Sequence, residues 1–139
     1  MSTAKLAIII AGVLSLLVAI LHIAIVVAGA EWYRFFGAGE QMAKMAEQGS
    51  LIPAIVTLAI AIVFAVWAAY AFASAGIIAN MPLQKTALIA ISSIYILRGL
   101  VVVVLIFKPE LASSFNIWSS LVSLAIGLLY AYGTWFLEF

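Results

Sequence analysis

The chain contains no cysteine and no aspartate, and its 139 residues include a single histidine, three prolines, six basic and five acidic side chains. Without cysteine there is no disulfide framework, thiolate metal site or thiol chemistry on this chain. A bis-histidine haem needs two histidines, so a cytochrome would have to share its ligands between copies. The formal net charge of +1 is small and scattered, which excludes a nucleic-acid surface and a polybasic lipid-binding tail. No long acidic, basic or Gly/Ser-rich tract occurs, so no disordered tail or linker is expected. P-loop, zincin and Gly-x-Ser-x-Gly motifs are also absent. No cofactor and no metal are expected.

What is abundant is hydrocarbon. Apolar residues make up 68% of the chain and charged residues 8%, and the mean hydropathy is +1.34. An ordinary soluble domain is about 45–50% apolar and about 25% charged. The composition therefore points to lipid as the solvent, and the length to one domain spanning 1–139.

Four apolar runs are each long enough for the roughly 20 helical residues that a bilayer core requires. They predict transmembrane helices over about 5–28, 51–79, 83–107 and 116–137. The first resembles a signal peptide in its Lys5 and its small residues Ala28, Gly29 and Ala30, but it exceeds the about 7–15 residues of a signal core and reads as a retained helix. None of the runs alternates at period two, as a membrane β-barrel would demand. Ser50 and Asn80 are expected N-caps, with Pro53 and Pro82 in the first turns. Lys108-Pro109 stops the third span, and Ser113, Ser114 or Asn116 caps the fourth. The fold class is an all-α integral membrane protein, a four-transmembrane-helix bundle.

The one long connection, 31–49, opens on Trp32, Tyr33, Phe35 and Phe36 around Arg34, the composition of an interfacial aromatic belt. Gly37 and Gly39 allow a turn. A short amphipathic helix follows at about 39–48, with Met42, Met45 and Ala46 on one face and Glu40 paired with Lys44 on another. Tyr130, Tyr132 and Trp135 near the end of the fourth span read as a second belt.

Packing signals lie on the second and fourth spans. Ala61, Ala65, Ala69 and Ala73 form one stripe, and Ser119, Ser123, Gly127 and Ala131 form another. Small residues at such intervals let helices approach closely in lipid, and spacing leaves open whether the partner helix belongs to this chain or to a second copy. Four helices enclose little interior, so a homo-oligomer is expected. Lys5 ahead of the first apolar run favours cytoplasmic termini, in a bacterial inner membrane.

Two titratable residues fall within spans. Arg98 lies 13 positions after Lys85 and 10 before Lys108, near the middle of the third helix. A charge at that depth costs roughly 2.5–3.5 kcal/mol or more unless paired. Tyr95 shares its face, and Glu31 or Glu40 folding inward are the carboxylates within plausible reach, with backbone carbonyls the alternative. His22 lies on a small, polar stripe of the first helix with Gly12, Ser15 and Ala19.

In size the chain resembles the small multidrug resistance exporters, whose first helix carries a membrane-embedded glutamate. The first run here has no acidic residue, so proton–drug exchange does not carry over. The functional expectation is binding or transport of a small amphipathic or anionic ligand, or a lipid, at a polar site between helices 1 and 3. Arg98 would supply charge, His22, Tyr95, Glu31 and Glu40 would complete the site, and 31–49 would act as a lid. The alternative is a non-catalytic structural or regulatory subunit assembling through the small-residue faces. An enzyme using His22 as acid or base ranks last, because no nucleophile or metal cluster accompanies it.

Overall fold

Helix punctuation rather than apolarity decides where the long helices start and stop. In the computed structural model, which describes all 139 residues, every regular element is helical. α1 covers Thr3–Ala28, α2 Ala30–Phe35, α3 Glu40–Glu47, α4 Ile52–Ser74, α5 Gln84–Gly99, α6 Val101–Phe107 and α7 Ser114–Phe136, with a 3-10 turn at Pro109–Leu111. Four stretches are long and apolar enough to cross a membrane: Thr3–Ala28, Ile52–Ser74, the joined Gln84–Phe107 and Ser114–Phe136.

The second span ends five residues earlier than its apolar run suggests. Gly76 takes a left-handed φ of +78°, its N–H reaches the Ala73 carbonyl, and the Ile77 N–H reaches back to the Phe72 carbonyl. That is a Schellman stop, which a glycine supplies without steric cost. α2 and α3 end the same way, at Gly37 and Gly49. The third span also begins differently. Asn80 does not cap it; Leu83, itself left-handed at φ +55°, precedes Gln84, whose side chain accepts from the Met81 N–H. Pro82 therefore precedes the helix instead of lying in its first turn. Lys108-Pro109 does end the span at Phe107, and the Ser113 side chain accepts from the Asn116 N–H to cap α7. α2 is an element that the aromatic-belt reading left as connection.

By its internal contacts the chain divides into two compact units, Met1–Ser15 with Val66–Phe139, and Leu16–Ala65. In the first, α5 and α7 are the most extensively paired elements. A Cβ on Gly99 would lie 2.6 Å from both the backbone N and the Cβ of Leu124, and one on Gly127 would lie 2.9 Å from the Ile96 backbone N. The small-residue stripe of α7 is thus used at Gly127 against α5 of the same chain, which removes that position as an argument for a second copy. The start of α1 buries Ala4, Ala7, Ile8, Ala11 and Ser15 at helical spacing. A Cβ on Gly133 would collide with Ile8, and one on Gly12 would lie 2.9 Å from the Ala71 Cβ. These close approaches knit the start of α1 to α7 and to the end of α4.

The second unit has a small core of Ile25, Tyr33 and Ala43, flanked by Leu21, Ala30, Phe36 and Ala46. Tyr33 is buried although its neighbours Trp32 and Phe35 are exposed, so one turn of α2 faces two environments. The long helices expose large aliphatic side chains outward, among them Leu17, Ile20, Ile55, Ile62, Ile94, Leu97, Leu121 and Leu128. A water-soluble monomer rarely exposes apolar patches of such extent.

Replacing Gly99 by alanine is expected to destabilise the protein by about 1–3 kcal/mol, because Leu124 backbone cannot yield as a flexible side chain would. Reversible unfolding in mixed detergent would measure this; an unchanged midpoint would show that α5 and α7 do not approach so closely.

Candidate functional site

Two groups of polar side chains stand out in the first unit, and they differ in how fully they satisfy themselves. The interior one is built on Ser15, a serine on the buried face of α1. Its Oγ lies 2.9 Å from the Tyr95 hydroxyl of α5 and 2.8 Å from the Tyr130 hydroxyl of α7. The two phenol rings stack at 5.7 Å with planes 15° apart, and Trp67 of α4 meets Tyr95 edge-on at 5.3 Å. Tyr130 donates on to the Trp67 carbonyl at 3.4 Å. Proton order follows from that donation: Tyr130 must accept from Ser15, and Ser15 must accept from Tyr95. Each hydroxyl has one proton to give, and all three are placed. Ser15 and Tyr130 are fully buried and Tyr95 nearly so. Tyr130 is therefore an interior hydrogen-bonding residue, not part of an interfacial belt, and the Tyr95 hydroxyl expected to serve a ligand is engaged with Ser15.

The second group surrounds Arg98, and it is open. Arg98 lies nine residues before Phe107, about 13 Å from that end along the axis, just ahead of the helix break at Gly99–Leu100. Its Nη1 donates to the Ser120 Oγ at 2.7 Å and its Nη2 to the Ser119 Oγ at 3.1 Å. A guanidinium has five N–H donors, so these two bonds leave three. The side chain is exposed, Ser119 is half-buried and Ser120 is fully buried. Its partners are hydroxyls, neither the carboxylates nor the backbone carbonyls that depth alone suggested. Ser119, read as a packing residue, is a hydrogen-bond acceptor here; Ser123 is half-buried on the same helix.

The remaining packing residue, Ala131, lines a cavity of about 560 Å³ between α5 and α7, with Lys85, Ile89, Ser92, Thr134 and Trp135. Ser92 and Thr134 donate to the carbonyls of Ile89 and Tyr130 on their own helices. The cavity walls thus offer no free hydroxyl proton, and Lys85 at the rim lies 5.9 Å from the Phe139 ring.

The second unit holds the other expected site residues. His22 Nδ1 lies 2.7 Å from the Val18 carbonyl one turn back in α1, and its ring meets Phe64 at 5.2 Å. Nδ1 can bond a carbonyl only as the protonated donor, which assigns the tautomer of the neutral ring. Glu40 is committed elsewhere than to Arg98 or Lys44: Arg34 Nε and Nη2 donate to its two oxygens at 2.8 Å each. Arg34 Nη2 also pairs with Glu47 at 2.7 Å. Glu40 and Glu47 are seven residues apart, two turns along one face of α3, and that spacing is the sequence signal for this staple. The Arg34 hydrogen bonds hold the Glu40 carboxyl below its ordinary range, and the two carboxylates raise Arg34 further above its own. The 31–49 segment, expected as a lid, is therefore one stapled piece between Gly29 and Gly49. Glu31 lies outside the staple and lines a cavity with Trp32, Phe35 and Phe36.

Compared with known proteins, the chain matches no family model, no curated protein and no solved structure.

Substituting Ser15 by alanine removes the one acceptor and donor shared by two buried phenols, and about 1–3 kcal/mol of stability should be lost. Tyr95→Phe in the Ser15→Ala background should then cost less than Tyr95→Phe alone, a double-mutant cycle read by unfolding. The staple has a defined pH sign. A carboxyl with a lowered folded-state pKa contributes stability that is full above its unfolded value and is lost as pH falls through the folded one. Hydrogen-exchange protection across α2 and α3 should hold at neutral pH and fall on acidification below the ordinary carboxylate range. Glu40→Gln should abolish that pH dependence, and high salt should weaken it because the pairs are exposed.

Proposed function

We propose that the chain is an integral membrane protein that binds an anionic amphiphile of the bilayer at Arg98, for recognition or carriage. The observation that supports this reading is the exposed guanidinium, deep in an apolar helix, with three donors left and only hydroxyls for partners. Two hydroxyl acceptors on a charged donor contribute about 1.5–3 kcal/mol each, comparable to the lower figures for an arginine in hydrocarbon and well short of the higher ones. A carboxylate or phosphate oxygen arriving from the side supplies the missing charge, and the planar guanidinium receives it in two-pronged geometry. Ser119 and Ser120 take one N–H from each terminal nitrogen, which leaves the Nε–H and one N–H on each Nη. Tyr95 and His22 are not assigned ligand roles, since Ser15 and Val18 engage the Tyr95 hydroxyl and the His22 Nδ1.

A purely structural subunit has less support, because Gly127 of the small-residue stripe is used within the chain. The proposed orientation, with cytoplasmic termini, rests on Lys5 in the first turn of α1.

The purified protein should retain oleate or phosphatidylglycerol through Arg98 in native mass spectrometry from detergent. Arg98→Ala should weaken retention about ten- to hundredfold, the equivalent of one charge-assisted hydrogen-bond pair, while Arg98→Lys keeps part of it. Equal retention of oleate and phosphatidylglycerol by wild type and Arg98→Ala would overturn the assignment.

A further inference from the structure

We propose that α2 carries a receptor for a quaternary ammonium group, formed by Glu31, Trp32, Phe35 and Phe36. These four residues line a cavity of about 420 Å³, within the range of small-ligand sites, roughly 300–1,000 Å³. Trp32 and Phe35 of α2 and Phe36, its C-cap, are spaced three and four residues apart, so the three rings gather on one side. Phe36 lies 4.9 Å from Phe35 with planes 81° apart and 5.7 Å from Trp32 with planes 48° apart. At these separations the rings touch one another, so they form one aromatic cluster, with Trp32 and Phe35 exposed, that lines the cavity beside Glu31. The face of each ring is electron-rich and attracts a cation that can shed its water.

The charges around the cavity agree with a cationic occupant. Glu31 adds a carboxylate to the lining, and the ion pairs of this unit go from Arg34 to Glu40 and Glu47, leaving Glu31 without a cation. Arg34, the nearest positive charge in the sequence, is neutralised by those two carboxylates. Over 31–49 there are Glu31, Glu40 and Glu47 against Arg34 and Lys44, three negative charges to two positive, a net −1.

Ligand chemistry narrows the class. A hard divalent metal seeks several oxygen ligands, and the lining has one carboxylate. A primary ammonium carries three N–H donors and would leave some unmet against aromatic walls. A quaternary ammonium has no donor to satisfy, a diffuse charge and methyl groups that pack on rings, so one carboxylate and three aromatic side chains meet its needs. Two sources share this chemistry, the choline headgroup of a lipid and a free choline-type solute. This site is independent of Arg98, so either assignment can fail without the other.

The test uses the full chain in maltoside detergent, which contains no choline, with tetramethylammonium as probe. Saturation transfer from protein aromatic protons to the probe's methyl protons should be observed, and ammonium ion at equal strength should not compete. Trp32→Ala should weaken binding about tenfold, Trp32→Tyr should restore most of it, and Glu31→Gln should weaken it without disturbing the α2–α3 staple. Because Glu31 is exposed and outside the staple, that variant tests the site even if Trp32→Ala fails to fold. Displacement by free choline, or by phosphatidylcholine but not phosphatidylethanolamine nanodiscs, supports the site and separates its two sources. No transfer in the wild type, or equal transfer in wild type, Trp32→Ala and Glu31→Gln, would overturn it.

Discussion

The close approach of α5 and α7 depends on side chains that are not there. With Gly99 against the Leu124 backbone and Gly127 against Ile96, the two helices meet nearly backbone to backbone, where dispersion contacts are densest. In lipid, such packing replaces the hydrophobic drive that water supplies to a soluble core. The polar features of the first unit follow from this distance. Across the same seam Tyr95 stacks on Tyr130, Ser119 and Ser120 accept from Arg98, and a cavity lies beside Lys85 and Trp135. A bulkier residue at either glycine would pull all three apart together.

The same unit shows two ways of treating polarity away from water. Ser15, Tyr95 and Tyr130 place every proton on a partner, ending on the Trp67 carbonyl, and so form a closed group that links α1, α4, α5 and α7. Arg98 does the opposite. Its partners are two neutral hydroxyls, and its side chain is exposed. A closed network stabilises; an open one leaves donors available. That contrast is the basis for placing ligand binding at Arg98 and not at the tyrosines, although the tyrosines are more numerous and better ordered by contacts.

In the second unit, charge organises a surface element instead. Arg34 bridges two carboxylates of α3, while Tyr33 turns inward, Phe36 packs half-buried against the same small core, and Trp32 and Phe35 remain exposed. The staple uses the basic residue nearest to Glu31, and this leaves an acidic, aromatic-walled hollow. Glycines at both ends of the segment mark where its backbone can change direction.

Composition and run length were enough to determine four helices able to cross a bilayer, their number and their approximate limits, because hydrocarbon imposes length and apolarity residue by residue. Local chemistry in the chain also determined the stop at Lys108-Pro109 and narrowed the cap of the fourth span to Ser113, Ser114 or Asn116, since both act over a few neighbours. Gly76 was an available signal for the end of α4, hidden because the apolar run continues past it. Partner choice was another matter. Nothing in the spacing of Ser119, Ser120 or Ser15 says which helix each faces, and Tyr130 looks like any aromatic residue near a helix end. Depth singled out Arg98, but tertiary structure decided that it meets hydroxyls and that Glu40 belongs to Arg34. Hydrogen bonds between helices depend on how the helices rotate and cross, and those angles are set by close packing over the whole seam, which no local stretch of sequence encodes.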